Sequence, residues 1–226
     1  MNLRSVKPPH ETRTRILDAA EELFMQHGFG GTSMRQLTAK AGVNLAAVNY
    51  HFGSKDALIE AVFRRRLDPM NAGRIAELDR LEKAAGGPLS PETIIRAFVG
   101  ASLRMIEDAK CGGRNFIRLL GRTYTDPHKQ IRALIGQLYA PTMERFKNAF
   151  ERSLPQMPRD ELVWRIHFMF GTLAYTLAAT DTVQLIAGCK PEDRYDARLL
   201  EARLTAFLAA GLLAPLHNAA DVKKAA

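Results

Sequence analysis

The chain has 226 residues, 46% hydrophobic and 25% charged, a balance that suits a globular core and excludes a disordered or fibrous chain. A net charge of +8 and a pI near 9.7 point to an anionic partner, nucleic acid being the commonest, and residues 1–66 hold ten Lys and Arg against six Asp and Glu. No signal peptide or membrane span is expected, since the first ten residues are polar and basic and the most apolar stretch, Ile166 to Thr180, is broken by His167, Thr172 and Thr176. Cys111 and Cys189 stand alone, without metal-ligand spacing, so the expected compartment is the reducing cytoplasm, with no disulfide framework, no zinc and no cofactor.

Helical periodicity runs through the whole chain, and the expected fold class is all-α, with about nine helices. From Thr12 to His27, Ile16, Leu17, Ala20, Leu23 and Phe24 make one apolar face, and Gly28 stops the helix. Ser33 with Gln36 reads as a capping box for a short helix that turns Met34, Leu37 and Ala41 inward and ends at Gly42. Asn44 caps a third helix, Leu45 to His51, which closes at Phe52-Gly53. Ser54 caps a fourth that runs past Leu67. Two Gly, two Pro and a Ser make Ala84 to Pro91 a loop. Further helices are expected near Pro91–Asp108, Arg114–Thr125, Pro127–Leu154, Arg159–Thr180 and Tyr195–His217, with a kink at Pro141. This gives a three-helix N-terminal domain over 1–54, a larger helical domain over 55–217 and a flexible tail over 218–226.

Ser33 to Lys55 has the spacing of a helix-turn-helix: a helix of about eight residues, a tight turn at Gly42-Val43-Asn44, and a second short helix. Leu37, Val43, Val48 and Phe52 can tie both helices to the first one. Leu45, Ala46, Asn49 and Tyr50, with His51 beside them, have little reason to be buried. In such a motif the second helix enters the major groove. As an alternative, Tyr50, His51 and Phe52 could simply pack as core.

The segments ILDAAEELFMQHGF, TSMRQLTAKAGV and VNYHFGSKDALIEAVF together resemble the TetR family of bacterial regulators from Thr12 to about Val62. The resemblance implies a homodimer bound to a double-stranded DNA operator and released by a small-molecule effector. It places Thr32, Ser33 and Arg35 at phosphates or flanking base edges. Asn44, Leu45, Ala46, Ala47 and Asn49 would face bases, and Tyr50, His51 and Lys55 would grip the DNA backbone. The recognition helix departs from a strong base reader: LAAVN offers no Arg or Gln, only Asn49 for adenine and alanines for thymine methyls, so appreciable shape readout is expected.

In the C-terminal half, Arg159–Thr180 carries two apolar stripes, one of Leu162, Val163, Ile166, Phe170, Leu173 and Leu177. The other is Trp164, Phe168, Gly171, Tyr175 and Ala178. The family resemblance implies that these last two helices pair with their symmetry mates as a four-helix dimer interface, this stripe with Leu200, Leu204, Phe207, Leu208 and Gly211 of the last helix. A two-fold dimer sets two recognition helices about 34–36 Å apart, one DNA turn. The alternative is a thick intramolecular core. Phe98, Phe116, Leu119, Leu120, Tyr124, Phe146, Phe150, Trp164, Phe168 and Met169 are candidates to line an apolar effector cavity, or plain core. Arg114, Arg118 and Arg122 recur on one face, either solvated or clamping an acidic effector group, for which Arg118 is the candidate. VNLAAVNYHFGSKDALIEAVF with ELVWRIHFMFG is similar to the fatty-acid-responsive PsrA-type branch of the family, which implies a long-chain fatty acid or acyl-CoA.

An effector-independent DNA-binding protein is the second reading and an all-helical enzyme the third. Against an enzyme, the six histidines are scattered without a metal or nucleophile–base pattern. Gly28-Phe29-Gly30-Gly31 follows a helix, not a strand, and lacks the lysine of a phosphate loop.

Overall fold

The computed structural model describes residues 9–107, 113–123, 129–177 and 196–216. Among the described residues there are nine helices and no strand: α1 (Pro9–Gly31), α2 (Met34–Ala41), α3 (Leu45–Phe52), α4 (Lys55–Ala85), α5 (Pro91–Glu107), α6 (Gly113–Thr123), α7 (Lys129–Ser153), α8 (Arg159–Leu177) and α9 (Ala197–Leu213). The all-α expectation holds. Gly28 does interrupt α1, at φ 71° and ψ 175°, after which one more turn runs to Gly31. Helix α9 is shorter than its apolar pattern suggests. The Asp196 carboxylate accepts from the backbone N–H groups of Arg198 and Leu199 and so fixes its start, while Pro215 lies just past its end.

Helices α1–α3 and the first turns of α4 pack around Ile16, Leu17, Ala20, Phe24, Leu37, Val48, Leu58 and Val62, all buried. Each fully buried Leu or Ile there contributes about 1.5–3 kcal/mol. The core does not stop at this bundle. Phe24, Phe29, Phe63 and Phe116 touch in sequence, at centroid distances of 5.3, 5.7 and 6.0 Å, and join α1 through α4 to α6. Helix α4 is therefore shared by both ends of the molecule. Its Pro69, on the exposed side, withholds the N–H that would have bonded the Arg65 carbonyl, which weakens the helix just past the junction. Pro141 sits in the same way inside α7, which continues through it.

Candidate nucleic-acid interface

The helix-turn-helix is closed at every terminus by a residue of its own. The Ser33 hydroxyl accepts from the Gln36 N–H at 3.2 Å, and the Gln36 side chain accepts from the Ser33 N–H at 2.9 Å, which completes the capping box. At the turn Gly42 takes the left-handed conformation, φ 62°, and donates its N–H to Ala39. From α1, the Arg15 guanidinium donates to the Ala41 carbonyl and, at 3.1 Å, to that of Gly42, holding the turn from outside. Asn44 Oδ1 then accepts from the Ala47 N–H at 2.8 Å and opens α3. Ser54 does the same for α4, through the Ala57 N–H.

With both ends fixed and Val48 buried against α1, α3 has one rotational setting, and it presents a wide face to solvent. On that face Tyr50 is 83% exposed and Leu45 50%, with Ala46 and Asn49 exposed beside them and Ala47 and His51 half-buried. The Tyr50 and His51 rings stand edge to face, 5.1 Å apart. Phe52 is half-buried against the core, with the Arg13 guanidinium 5.3 Å from its ring centre, so the aromatic triplet divides into a surface pair and a core member. Ser33 and Arg35 are exposed at the start of α2. Lys55, half-buried, donates to the Thr32 carbonyl at 2.6 Å, which ties the start of α4 to the α1–α2 turn.

Thr32 corrects an expectation. Its side chain is 2% exposed and its hydroxyl donates to the carbonyls of Gly28 (2.9 Å) and Leu23 (3.2 Å). It builds the turn and offers no hydroxyl to a phosphate. The junction with α4 escaped the sequence reading altogether. Glu21 of α1, buried, sits between the guanidinium groups of Arg65 and Arg66, and Asp18 pairs with Arg65 at 2.6 Å.

In the larger half, Phe98, Phe116, Leu119, Leu120, Phe146 and Phe150 are buried as expected of either core or cavity. Phe98 is edge-on to Phe146 and to Phe170, each 5.0 Å away. Of the six, Phe98 and Leu120 border a narrow internal space with room for about one water molecule. Trp164 and Phe168 are corrected: at 58% and 61% exposed they line no interior cavity. Tyr124 and the Arg114, Arg118 and Arg122 side chains lie outside the described residues.

Beside that space lies a group the sequence reading missed, Arg74, which is 1% exposed. The signal was present. Leu67, Asn71, Arg74 and Leu78 follow the buried stripe of α4 at intervals of four, three and four, so two of its positions are polar. Arg165 repeats the pattern on α8, between buried Leu162 and Met169. It pairs with Glu161 at 2.7 Å and donates to the carbonyls of Leu212 (2.7 Å) and Ala214 (2.6 Å), closing the end of α9, whose own last turn has no basic residue.

The expected dimer face divides. Trp164, Phe168, Gly171, Tyr175, Phe207 and Gly211 are all exposed, whereas Leu204 and Leu208 are buried inside the protomer and Leu200 is half-buried. Leu204 and Leu208 are thus removed from the face, and Val163, on the stripe of Leu162 and Leu173, is half exposed. Ala178 lies outside the described residues.

Residues 16–62 match the family described as bacterial regulatory proteins, tetR family, and residues 96–211 match the tetracyclin repressor-like C-terminal domain. The chain belongs to the TetR family. Among curated relatives, it is 37% identical to the HTH-type transcriptional regulator SrpR of Pseudomonas putida over 70 residues, 31% of this chain and 33% of SrpR. It is 36% identical to AcrR of Shigella flexneri over 90 residues, 40% of each. The matched segment is thus only a third to two fifths of those relatives' length. Two solved structures show how far the TetR fold extends. HlyIIR, a hemolysin II transcriptional regulator, superposes with a TM-score of 0.60 at 18% identity, over 89% of this chain and 99% of its own. The fatty acid degradation regulator FadR of Bacillus halodurans does so with 0.62 at 15%, over 89% and 96%. The family and these relatives are transcriptional regulators and not enzymes. Among the described residues of this TetR-family chain, no helix is long and apolar enough to cross a membrane.

Proposed function

We propose that this TetR-family chain is a transcriptional repressor that binds a pseudo-palindromic DNA operator as a homodimer and releases it when a hydrophobic small molecule enters the larger half. The observation that carries the reading is the α3 face: Leu45 and Tyr50 stand exposed on a short helix whose ends and inner side are fully fastened. A large exposed apolar and aromatic surface on a rigid element needs a partner. Ser33, Arg35, Tyr50, His51 and Lys55 take the phosphates and sugars. Leu45, Ala46, Ala47, Asn49 and the free amide of Asn44 meet base edges. Thr32 serves as the turn's internal fastener.

The second copy docks through the exposed Trp164, Phe168, Tyr175 and Phe207. An effector reaching α4 shifts its junction with α1, through Glu21, Arg65 and Arg66, and changes the spacing of the two recognition helices. The coupling in such switches is typically about 1–3 kcal/mol. The resemblance to the PsrA-type branch makes long-chain fatty acids and acyl-CoA the first effectors to try.

Fluorescence anisotropy of labelled DNA from the gene's upstream region, at fixed salt with unrelated competitor DNA, tests the reading. Wild type is expected to bind competitor-resistantly. Tyr50→Ala is expected to bind at least about tenfold more weakly with an unchanged melting temperature, because Tyr50 supports nothing in the core. A Tyr50→Ala protein that binds as wild type does would remove α3 from the interface. Sedimentation velocity of Phe168→Glu, expected to be monomeric, checks the dimer face.

A further inference from the structure

Three charged side chains are buried among the described residues: Glu21, Arg74 and Arg165. Glu21 is held between Arg65 and Arg66, and Arg165 has Glu161. Arg74, the most deeply buried of the three, has no carboxylate within ion-pairing distance among the described residues. A guanidinium does not escape burial by losing its proton, so the charge has to be compensated in place. The compensation visible is neutral. Nε donates to the Phe98 carbonyl at 3.0 Å, Nη1 to Asn71 Oδ1 at 2.9 Å and Nη2 to the Ser102 hydroxyl at 2.5 Å. The guanidinium carbon lies 3.9 Å from the Phe98 ring centre and 5.5 Å from that of Tyr139. Of its five N–H bonds three are used among the described residues, which leaves one on each terminal nitrogen there.

The cation is also held in place. Asn71, which accepts from it, is itself anchored by donating Nδ2 to the Leu138 carbonyl of α7 at 3.1 Å. Arg74 thus joins α4 to α5 directly and to α7 through Asn71. It borders the narrow space whose other walls are mostly apolar, among them Leu120, Phe170 and Leu173. A fixed cation with remaining donors, on the wall of an apolar seam between helices, is a head-group site.

We propose that Arg74 receives the carboxylate of an amphipathic acid, whose apolar body parts α5, α6 and α8 as it enters. This rests on the effector reading above and narrows it to a free acid. A thioester would bring only neutral oxygens to Arg74. Two remaining N–H bonds, one on each terminal nitrogen, suit a two-oxygen anion better than a single carbonyl oxygen. Because Arg74 stands on α4, a ligand that draws it out of its Ser102 and Phe98 contacts acts directly on the helix that carries the DNA-binding end.

Calorimetric titration of the full chain decides, using decanoate against decanamide, 4-phenylbutyrate against 4-phenylbutyramide, and decanoyl-CoA. The two pairs separate an alkyl from an aryl source of the same carboxylate. At least one acid is expected to bind ten times or more tightly than its amide and than decanoyl-CoA. In Arg74→Met that preference falls to within twofold, while Arg74→Lys keeps part of it. Equal binding of acid and amide, a preference that survives Arg74→Met, or no acid binding at all overturns the proposal. Should the methionine variant not fold, the 13C-carboxylate resonance of labelled acid on the wild-type protein decides instead. Titration below the midpoint of the free acid supports an ion pair, and titration at or above it refutes one. Operator binding is measured on the same sample: acids that fail on a protein that holds its operator sink only the head-group site, whereas loss of operator binding sinks the regulator reading.

Discussion

The two ends of the molecule fix their helices by different means. In the helix-turn-helix each helix start is closed from within three residues, Ser33 by Gln36, Asn44 by Ala47 and Ser54 by Ala57, with Arg15 and Lys55 adding ties to the turns from 26 and 23 residues away. In the larger half single arginines make the ties across long stretches of chain. Arg165 closes α9 from 47 residues away, Arg74 joins α4 to α5 across 24 and 28 residues, and Arg145 holds α7 to α4 across 63 and 66. A locally closed unit keeps its shape whatever its surroundings do, which is what a reading head needs. Helices tied by a few long-range side chains can be re-set by whatever competes for those side chains, which is what a sensor needs.

The largest effect that would break this contrast is expected at Arg165. Arg165→Met removes hydrogen bonds from a charged donor to the last carbonyls of α9 and leaves Glu161 without its partner. The cost is about 3 kcal/mol, a fall of roughly 6–12 °C in a chain of this size by differential scanning calorimetry. Hydrogen exchange should quicken in α8 and α9 and stay as it was in α2 and α3. Exchange that quickens equally at both ends would mean that the molecule is one cooperative unit, and the contrast would fail.

Ser33→Ala is the mirror experiment. Loss of the capping box costs about 1 kcal/mol, and because the closure is local the quickened exchange should be confined to α2 and the turn at Gly42. DNA affinity should fall with it, since the N-terminal end of α2 belongs to the proposed interface. Faster exchange in α9 would argue against a locally closed reading head.

The same contrast accounts for what could be read from the sequence. Ser33, Gly42, Asn44 and Ser54 act on neighbours, so the boundaries of α2 and α3 and the start of α4 were legible from residue type and spacing alone. Thr32 misled because the family resemblance places it with Ser33 and Arg35 at the DNA, while its hydroxyl's acceptors here, Leu23 and Gly28, lie behind a turn whose geometry no spacing reveals. Leu204 and Leu208 misled for a related reason. The apolar pattern of α9 is wide enough to serve two faces, and only its packing against α5 shows which leucines turn inward. Arg74 and Arg165 were the opposite case. Their place on buried stripes was visible, but a polar residue on such a stripe says nothing about the distant carbonyls it serves.

The smallest effect lies where α7 meets α4. Glu82 accepts from Arg145 at 2.5 Å and from Arg152 at 2.6 Å, and Asp79 accepts from Arg145 as well, at 2.5 Å. The Arg145 guanidinium holds the Glu82 carboxyl below the usual carboxylate range, against the opposing pull of burial and with Arg152 assisting. A carboxyl lowered in the folded state contributes stability above its unfolded value, and that contribution is lost as pH falls through the folded one. Glu82→Gln should therefore cost up to about 1 kcal/mol at pH 7. The gap between variant and wild type in urea unfolding should close as pH drops below about 4. Because both arginines are partly exposed, 0.5 M NaCl should shrink the gap at pH 7 as well. A gap that persists unchanged at pH 3 would show that Glu82 acts through packing and not through its charge, and the α7–α4 tie would then no longer count among those made by arginine.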